Sequence, residues 1–212
     1  MSVDELRNQV LNAGLLVFAR DGFRGATIEA IAREAGVSRQ ALYDQFADKA
    51  ELFAQVVAQI EAKSTAAMSD RLRDYDGLTL GAWLRASYRL ALEENDAYPD
   101  WRAVLEEAER NGNPAMTRKR NTYAAILVGN SRERWDSFSR TIGREPVPFE
   151  VSRVEAAQVA LCFGMLEAIM DLRWPGGPPP DRDTLVEFLT EFTLGGLVRV
   201  QTKIPEIVAK LG

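Results

Sequence analysis

The chain contains no histidine and one cysteine, Cys162, in 212 residues. The missing histidine removes the commonest general base and the commonest transition-metal ligand together. With a single cysteine as well, Cys–His catalysis and Cys/His zinc sites are excluded, and so is an intramolecular disulfide. There is no G-x-S-x-G, no phosphate loop of the G-x-x-x-x-G-K type and no dinucleotide fingerprint. Adjacent carboxylates such as Glu93-Glu94 and Glu106-Glu107 do not share a helix face and read as solvated surface. An enzyme therefore lacks a candidate nucleophile–base pair, and no cofactor or metal is implied. Alternation of the strand type is almost absent. No apolar run reaches the roughly 20 residues that span a bilayer, and no membrane association is expected. The N-terminus, MSVDELRNQV, is polar and acidic, so no signal peptide is expected and the cytoplasm is the expected compartment.

What the chain does have is helical periodicity. Hydrophobic residues make up 46% and charged residues 27%, the balance of an ordinary globular protein. Leu6, Val10, Ala13 and Val17 form one row, and Leu11, Leu15 and Phe18 a second, which predicts a first helix over about 3–20. Asp21-Gly22 stops it. Thr27 is placed to cap a second helix carrying Ile28, Ile31, Ala32 and Ala35, with Glu29 in its first turn. Gly36 follows at the position of a left-handed helix end. Ser38 then caps a third helix that turns Ala41, Leu42 and Phe46 inward. Asp48 and Glu51 have the spacing of a capping box for a fourth helix, about 48–62, bearing Leu52, Phe53, Val56, Val57 and Ile60.

Beyond it, 62–76 reads as a frayed extension and connection. Further helices are expected at about 78–95, from Tyr98-Pro99 to Asn111-Gly112, from Pro114 toward Ile142-Gly143, at 150–174 and at 182–203. Three consecutive prolines keep the loop between the last two non-helical. The expectation is an all-α chain of about nine helices. A three-helix N-terminal domain, 1–50, carries a helix-turn-helix. A helical ligand-binding and dimerisation domain, 51–212, follows, and helix 4 links the two.

Helix, glycine turn and helix is the layout whose second helix enters the DNA major groove. The run Thr27, Ile31-Ala32, Ala35-Gly36-Val37-Ser38, Leu42-Tyr43, Phe46, Lys49 and Leu52 strongly resembles the N-terminal domain of tetracycline-repressor (TetR) family regulators. That resemblance covers roughly the first sixty residues; the remainder is similar only in length and helical character. It implies a dimeric regulator, a repressor by family expectation, that binds a pseudo-palindromic operator in double-stranded DNA and senses a small molecule. It also implies that Thr27, Ser38, Tyr43 and Lys49 hold phosphates. Arg39, Gln40 and Gln45 are candidates for base edges, Arg suiting guanine and Gln adenine, and Ala41 for a thymine methyl. The family usually carries an aromatic or basic residue at the position of Asp44 and a histidine at that of Gln45. Asp44 either accepts from cytosine or pairs with Arg39 or another neighbour and stays off the DNA; the second is the expectation.

Charge points the other way. The chain holds 26 basic and 31 acidic residues, net −5, and its first fifty residues hold six basic against seven acidic. A DNA-binding domain usually shows a basic footprint. Hydroxyls and dimer symmetry are then expected to supply what formal charge does not. A helical carrier or interaction protein that binds an apolar ligand or a partner helix and no DNA is the alternative this balance keeps open.

The last two helices are apolar around more of their circumference than one neighbour requires. Small residues permit close approach, so Ala156, Ala160, Phe163, Gly164, Phe188 and Phe192 are expected at a homodimer interface. Trp83, Tyr88, Trp101, Tyr123, Trp135 and Phe163 are candidates for lining a pocket for a small apolar or aromatic ligand. Plain helical core is the other reading of each.

Overall fold

In the computed structural model, residues 2–143, 161, 162, 164–166, 168–170 and 177–211 are described. Among them there is no strand, and the fold is all-α. Eight helices are delimited: α1 Val3–Gly25, α2 Ile28–Ala35, α3 Arg39–Tyr43, α4 Lys49–Arg73, α5 Leu80–Ala97, α6 Pro99–Arg110, α7 Pro114–Thr141 and α8 Arg182–Leu211. The described positions between 161 and 170 are helical too.

The chain divides into two compact units, residues 1–68 with 95–122, and residues 69–94 with 123–212. This partition cuts the chain differently from the division at residue 50 expected from function.

The first unit is built on α1. Ser2 Oγ accepts from the Glu5 amide at 3.1 Å and Glu5 Oε2 accepts from the Ser2 amide at 2.7 Å, a reciprocal cap. The helix continues past the expected end at Arg20, but Gly22 (φ 69, ψ 169) leaves the helical region inside it, in a conformation open in practice only to glycine. Val10, Val17, Phe18, Ile31, Leu42 and Phe46 are all but fully buried, so α1, α2 and α3 share one core with Leu52, Val56 and Ile60 of α4. Gly14 lets α4 come close: Val56 Cγ2 lies 3.2 Å from where a Cβ would stand. Phe53 meets Phe18 edge-on at 5.0 Å and Phe23 at 5.1 Å. α6 packs on α1, adding Val104 and Ala108 to the same core.

α4 runs well beyond the expected end near residue 62. Its extension is alanine-rich and polar, with too few large apolar residues to show a periodic stripe. Met68 and Leu72, one turn apart, are nevertheless buried, and Ser64 bonds back to the Glu61 carbonyl at 3.2 Å. α8 similarly continues to Leu211, past the expected 203.

In the second unit α5 packs on α8. Arg85 forks onto the Glu187 carboxylate at 3.0 and 3.2 Å, and Arg89 Nη1 reaches Asp183 at 2.6 Å. Leu194 Cδ1 stands 3.4 Å from a Cβ built on Gly81, so the backbone of α5 is in close contact with α8. Asp181 opens α8, its carboxylate accepting from the Thr184 amide and hydroxyl at 3.0 and 2.7 Å. Those bonds hold its carboxyl below the usual range.

Candidate nucleic-acid interface

α2 and α3 owe their short, well-defined ends to local chemistry. Thr27 Oγ1 accepts from the Ala30 amide and Ser38 Oγ from the Ala41 amide, each at 3.1 Å. Each hydroxyl keeps its own O–H free to donate outward. Gly36 ends α2 in the left-handed region (φ 65, ψ 30), so that Val37 can turn back on the Ala32 carbonyl at 2.9 Å. Leu42 and Phe46 anchor α3 from below. Ser38, Arg39, Gln40, Tyr43 and Asp44 are exposed, and Ala41 and Gln45 half-buried. The exposed residues of 38–44 therefore form a polar surface carrying a hydroxyl, a guanidinium, a carboxamide, a phenol and a carboxylate.

Three long side chains from outside α3 fix this surface in place. Arg7 of α1 donates to the Gln45 carbonyl at 2.9 Å, and its guanidinium lies 4.5 Å from the centre of the Phe46 ring. Gln9, half a turn further on, donates to the Ala35 carbonyl at 2.6 Å. Both bonds satisfy carbonyls that the ends of α2 and α3 leave open. Lys49 does the same for the chain entering α2: its ammonium donates to the Phe23 and Ala26 carbonyls, each at 2.8 Å, and sits 4.8 Å from the Phe23 ring centre. Lys49, a phosphate candidate from the sequence, is engaged here with backbone carbonyls, and Arg7 and Gln9 join the site without a signal in the sequence. Nothing local marks a polar side chain that bonds a carbonyl 26 or 38 residues away.

The readout candidates are also engaged. Arg39 Nη1 lies 2.7 Å from Glu29 Oε1, linking the head of α3 to the first turn of α2. Gln40 Nε2 donates to Asp44 Oδ1 at 2.9 Å across one turn of α3. Asp44 is thus paired with a neighbour, and the neighbour is Gln40 rather than Arg39. Arg20 is taken up by Asp21 at 2.9 Å. Of the six basic residues in the first fifty, Arg7, Arg20, Arg39 and Lys49 therefore already serve contacts within the protein.

α4 starts from Asp48, whose Oδ1 accepts from the Glu51 amide at 2.7 Å. Glu51 reaches back one residue further than expected, to the Ala47 amide at 2.8 Å.

The model for bacterial regulatory proteins of the tetR family matches residues 10–56. Residues 10–56 thus match the N-terminal module of TetR-family regulators. The matched stretch takes in α2, the Gly36 turn and α3, and the beginning of α4. The HTH-type transcriptional repressor AcnR of Corynebacterium efficiens is 28% identical over 116 residues, 49% of this chain and 62% of AcnR. The HTH-type transcriptional regulator SrpR of Pseudomonas putida is 42% identical over 55 residues, 26% of each chain. The chain thus matches less than two thirds of the length of either relative. Among solved structures, FadR from Bacillus subtilis, in complex with stearoyl-CoA, superposes with a TM-score of 0.66 at 16% identity, over 89% of this chain and 97% of FadR. At that identity the likeness shows the fold.

The ligand and dimer candidates fall in several places. Trp83 and Tyr88 are buried on α5, and Trp135, half-buried on α7, stacks on Phe138 at 5.7 Å. Trp101 belongs to the first unit, where it stacks on Tyr98 at 4.4 Å and packs against the α1 core. The side chains of Tyr123 and Phe163 lie outside the described residues, as do Ala156 and Ala160. Gly164 is exposed, and Phe188 and Phe192 point outward at 53% and 62% exposure, their rings 5.9 Å apart.

Around Tyr88 the second unit is polar inside. The Tyr88 hydroxyl and Thr193 Oγ1 are 2.6 Å apart, both residues buried. Burial pushes the Tyr88 hydroxyl and the Cys162 thiol above their ordinary values. On the same helix, Trp83 Nε1 and Ser87 Oγ are buried with no hydrogen-bond partner among the described residues.

Among the described residues no group of three or more His, Cys, Asp or Glu is placed to hold a metal ion. No described helix is long and apolar enough to cross a membrane.

Proposed function

We propose that this chain is a dimeric DNA-binding transcriptional regulator of the repressor type, released from a pseudo-palindromic operator by a small molecule. The observation that carries the reading is the polar surface of α3, held by Leu42 and Phe46 below, by Arg7 at its end and by the Gly36 turn before it. A short helix with a dry underside and an exposed row of hydrogen-bonding side chains is what major-groove readout requires. Thr27 and Ser38 donate O–H bonds to phosphate, Tyr43 adds a third, and Arg39, Gln40 and Gln45 face base edges, with Ala41 beside a thymine methyl. Lys49 acts on the DNA through the backbone it staples. Residues 1–50 serve as the DNA-binding domain and 51–212 as the sensing and dimerisation domain.

The outward Phe188 and Phe192 of α8 support self-association, since a paired aromatic patch is costly to leave in water. A homodimer also fits the modest charge of each module. The unmet Trp83 Nε1 and Ser87 Oγ, together with Tyr88, support an effector that is apolar in bulk but carries a hydrogen-bonding group. FadR, crystallised with stearoyl-CoA, supplies a precedent for a long apolar ligand in this fold. Because an effector shifts an equilibrium only by its differential affinity, it must bind the DNA-free form more tightly.

The test is an anisotropy titration of the purified chain with duplexes drawn from a random library, at two salt concentrations. Saturable binding that weakens with salt and discriminates sequence is expected. Binding of long-chain acyl probes with no DNA binding at any salt would instead favour a helical carrier.

A further inference from the structure

The Arg39–Glu29 pair carries a consequence for sequence readout, and it rests on the DNA-binding reading above. Arg39 is the first residue of α3, and Glu29 is the second of α2. Arg39 approaches Glu29 through Nη1, 2.7 Å from Oε1. A guanidinium has five N–H donors in a planar fork. Approach through Nη1 leaves the Nε–Nη2 edge without a hydrogen bond among the described residues, and that edge matches the O6/N7 pair of guanine. The pair is exposed, 59% for Arg39 and 56% for Glu29, so it is open to a groove.

Charge argues that the contact survives docking. Glu29 stands in the first turn of the helix whose cap, Thr27, faces phosphate. If Arg39 swung wholly onto a base, a bare carboxylate would be left beside the DNA backbone. Shared between Glu29 and guanine, the guanidinium neutralises the carboxylate and has already given up its rotamer freedom before DNA arrives. The other nearby acid does not compete, because Asp44 is taken by Gln40.

We propose that Glu29 is a positioning residue for base recognition: it holds Arg39 so that its free edge reads one guanine per half-site, and it stays paired in the complex. Glu29 touches no base itself. Its effect is on discrimination and not on overall affinity.

The experiment uses full-length protein and an operator selected with the wild type. First, each guanine of the half-site is replaced by adenine, and the position whose penalty vanishes in Arg39→Ala is identified. Glu29→Gln is then titrated against both operators. The expected result is near-parental affinity for non-specific duplex and a guanine preference reduced about tenfold, approaching that of Arg39→Ala. Glu29→Asp, which keeps the charge, should restore part of it. The double variant should discriminate no worse than Arg39→Ala alone. Urea midpoints of all variants confirm that the fold is kept. Retention of the full preference by Glu29→Gln overturns the proposal, as does an equal gain in affinity for every sequence, the signature of simple charge removal. If no guanine depends on Arg39, the base assignment fails. If the wild type binds no duplex, the functional reading fails with it.

Discussion

Gln40 Nε2 donates to Asp44 Oδ1 at 2.9 Å, so the acidic residue on the recognition surface is engaged within its own helix. Asparagine at 44 keeps an acceptor oxygen for Gln40 and removes a charge that phosphates repel. Asp44→Asn should therefore bind operator as tightly as the parent, or up to about fivefold more tightly at low salt. A large loss confined to operators with a cytosine at one position would mean that Asp44 accepts from that base.

Lys49 separates a structural from an electrostatic role. Its ammonium satisfies the Phe23 and Ala26 carbonyls, and Ala26 is buried. Lys49→Ala leaves that acceptor dry and unpaired, which costs about 1–3 kcal/mol. The urea midpoint should fall, and affinity should drop evenly across sequences because the turn before α2 loosens. Unchanged stability with a shallower salt dependence would place the ammonium on a phosphate instead.

Gly36→Ala isolates the turn. A Cβ there meets nothing within 4 Å, so the cost is conformational only, about 1–2 kcal/mol for a left-handed alanine. The same change at Gly177, where φ is not in the left-handed region and a Cβ is also unobstructed, should be close to neutral. Equal effects at the two sites would remove the argument for Gly36.

The ends of α2 and α3 were legible because they are local. Thr27, Gly36 and Ser38 act within four residues, and all three took the positions that their chemistry implies. The rows of α1 and the start of α4 were legible for the same reason, through period. What escaped was long-range or weakly patterned. Arg7, Gln9 and Lys49 bond carbonyls 38, 26 and 26 or 23 residues away, and their own surroundings in sequence say nothing of it. The second half of α4 escaped because alanine and charged residues hide a stripe made of only Met68 and Leu72. In the sequence Glu29 shows only helix-dipole chemistry, because its ion pair with Arg39 depends on the turn between α2 and α3.

Tyr88 gives the second unit an alkaline signature. Burial raises its folded pKa above the ordinary value near 10. The folded state then holds a proton that the unfolded chain loses, so this stability is complete below about pH 10 and declines as pH rises further. Urea unfolding between pH 8 and 11 should show a steeper fall in the wild type than in Tyr88→Phe. Parallel curves would show that Tyr88 titrates alike in both states. The Cys162 thiol, raised by the same burial, should react slowly with alkylating reagents at neutral pH in the folded protein.

Two copies of the α2–α3 module reading DNA together would leave their symmetry in the sites that the full-length protein selects from a random duplex library. Enrichment of a single motif with dyad symmetry is expected, its half-site centres about one helical turn or a multiple apart, with loss of binding when one half is scrambled. Enrichment of an asymmetric motif, or none above the input library, would contradict such paired reading.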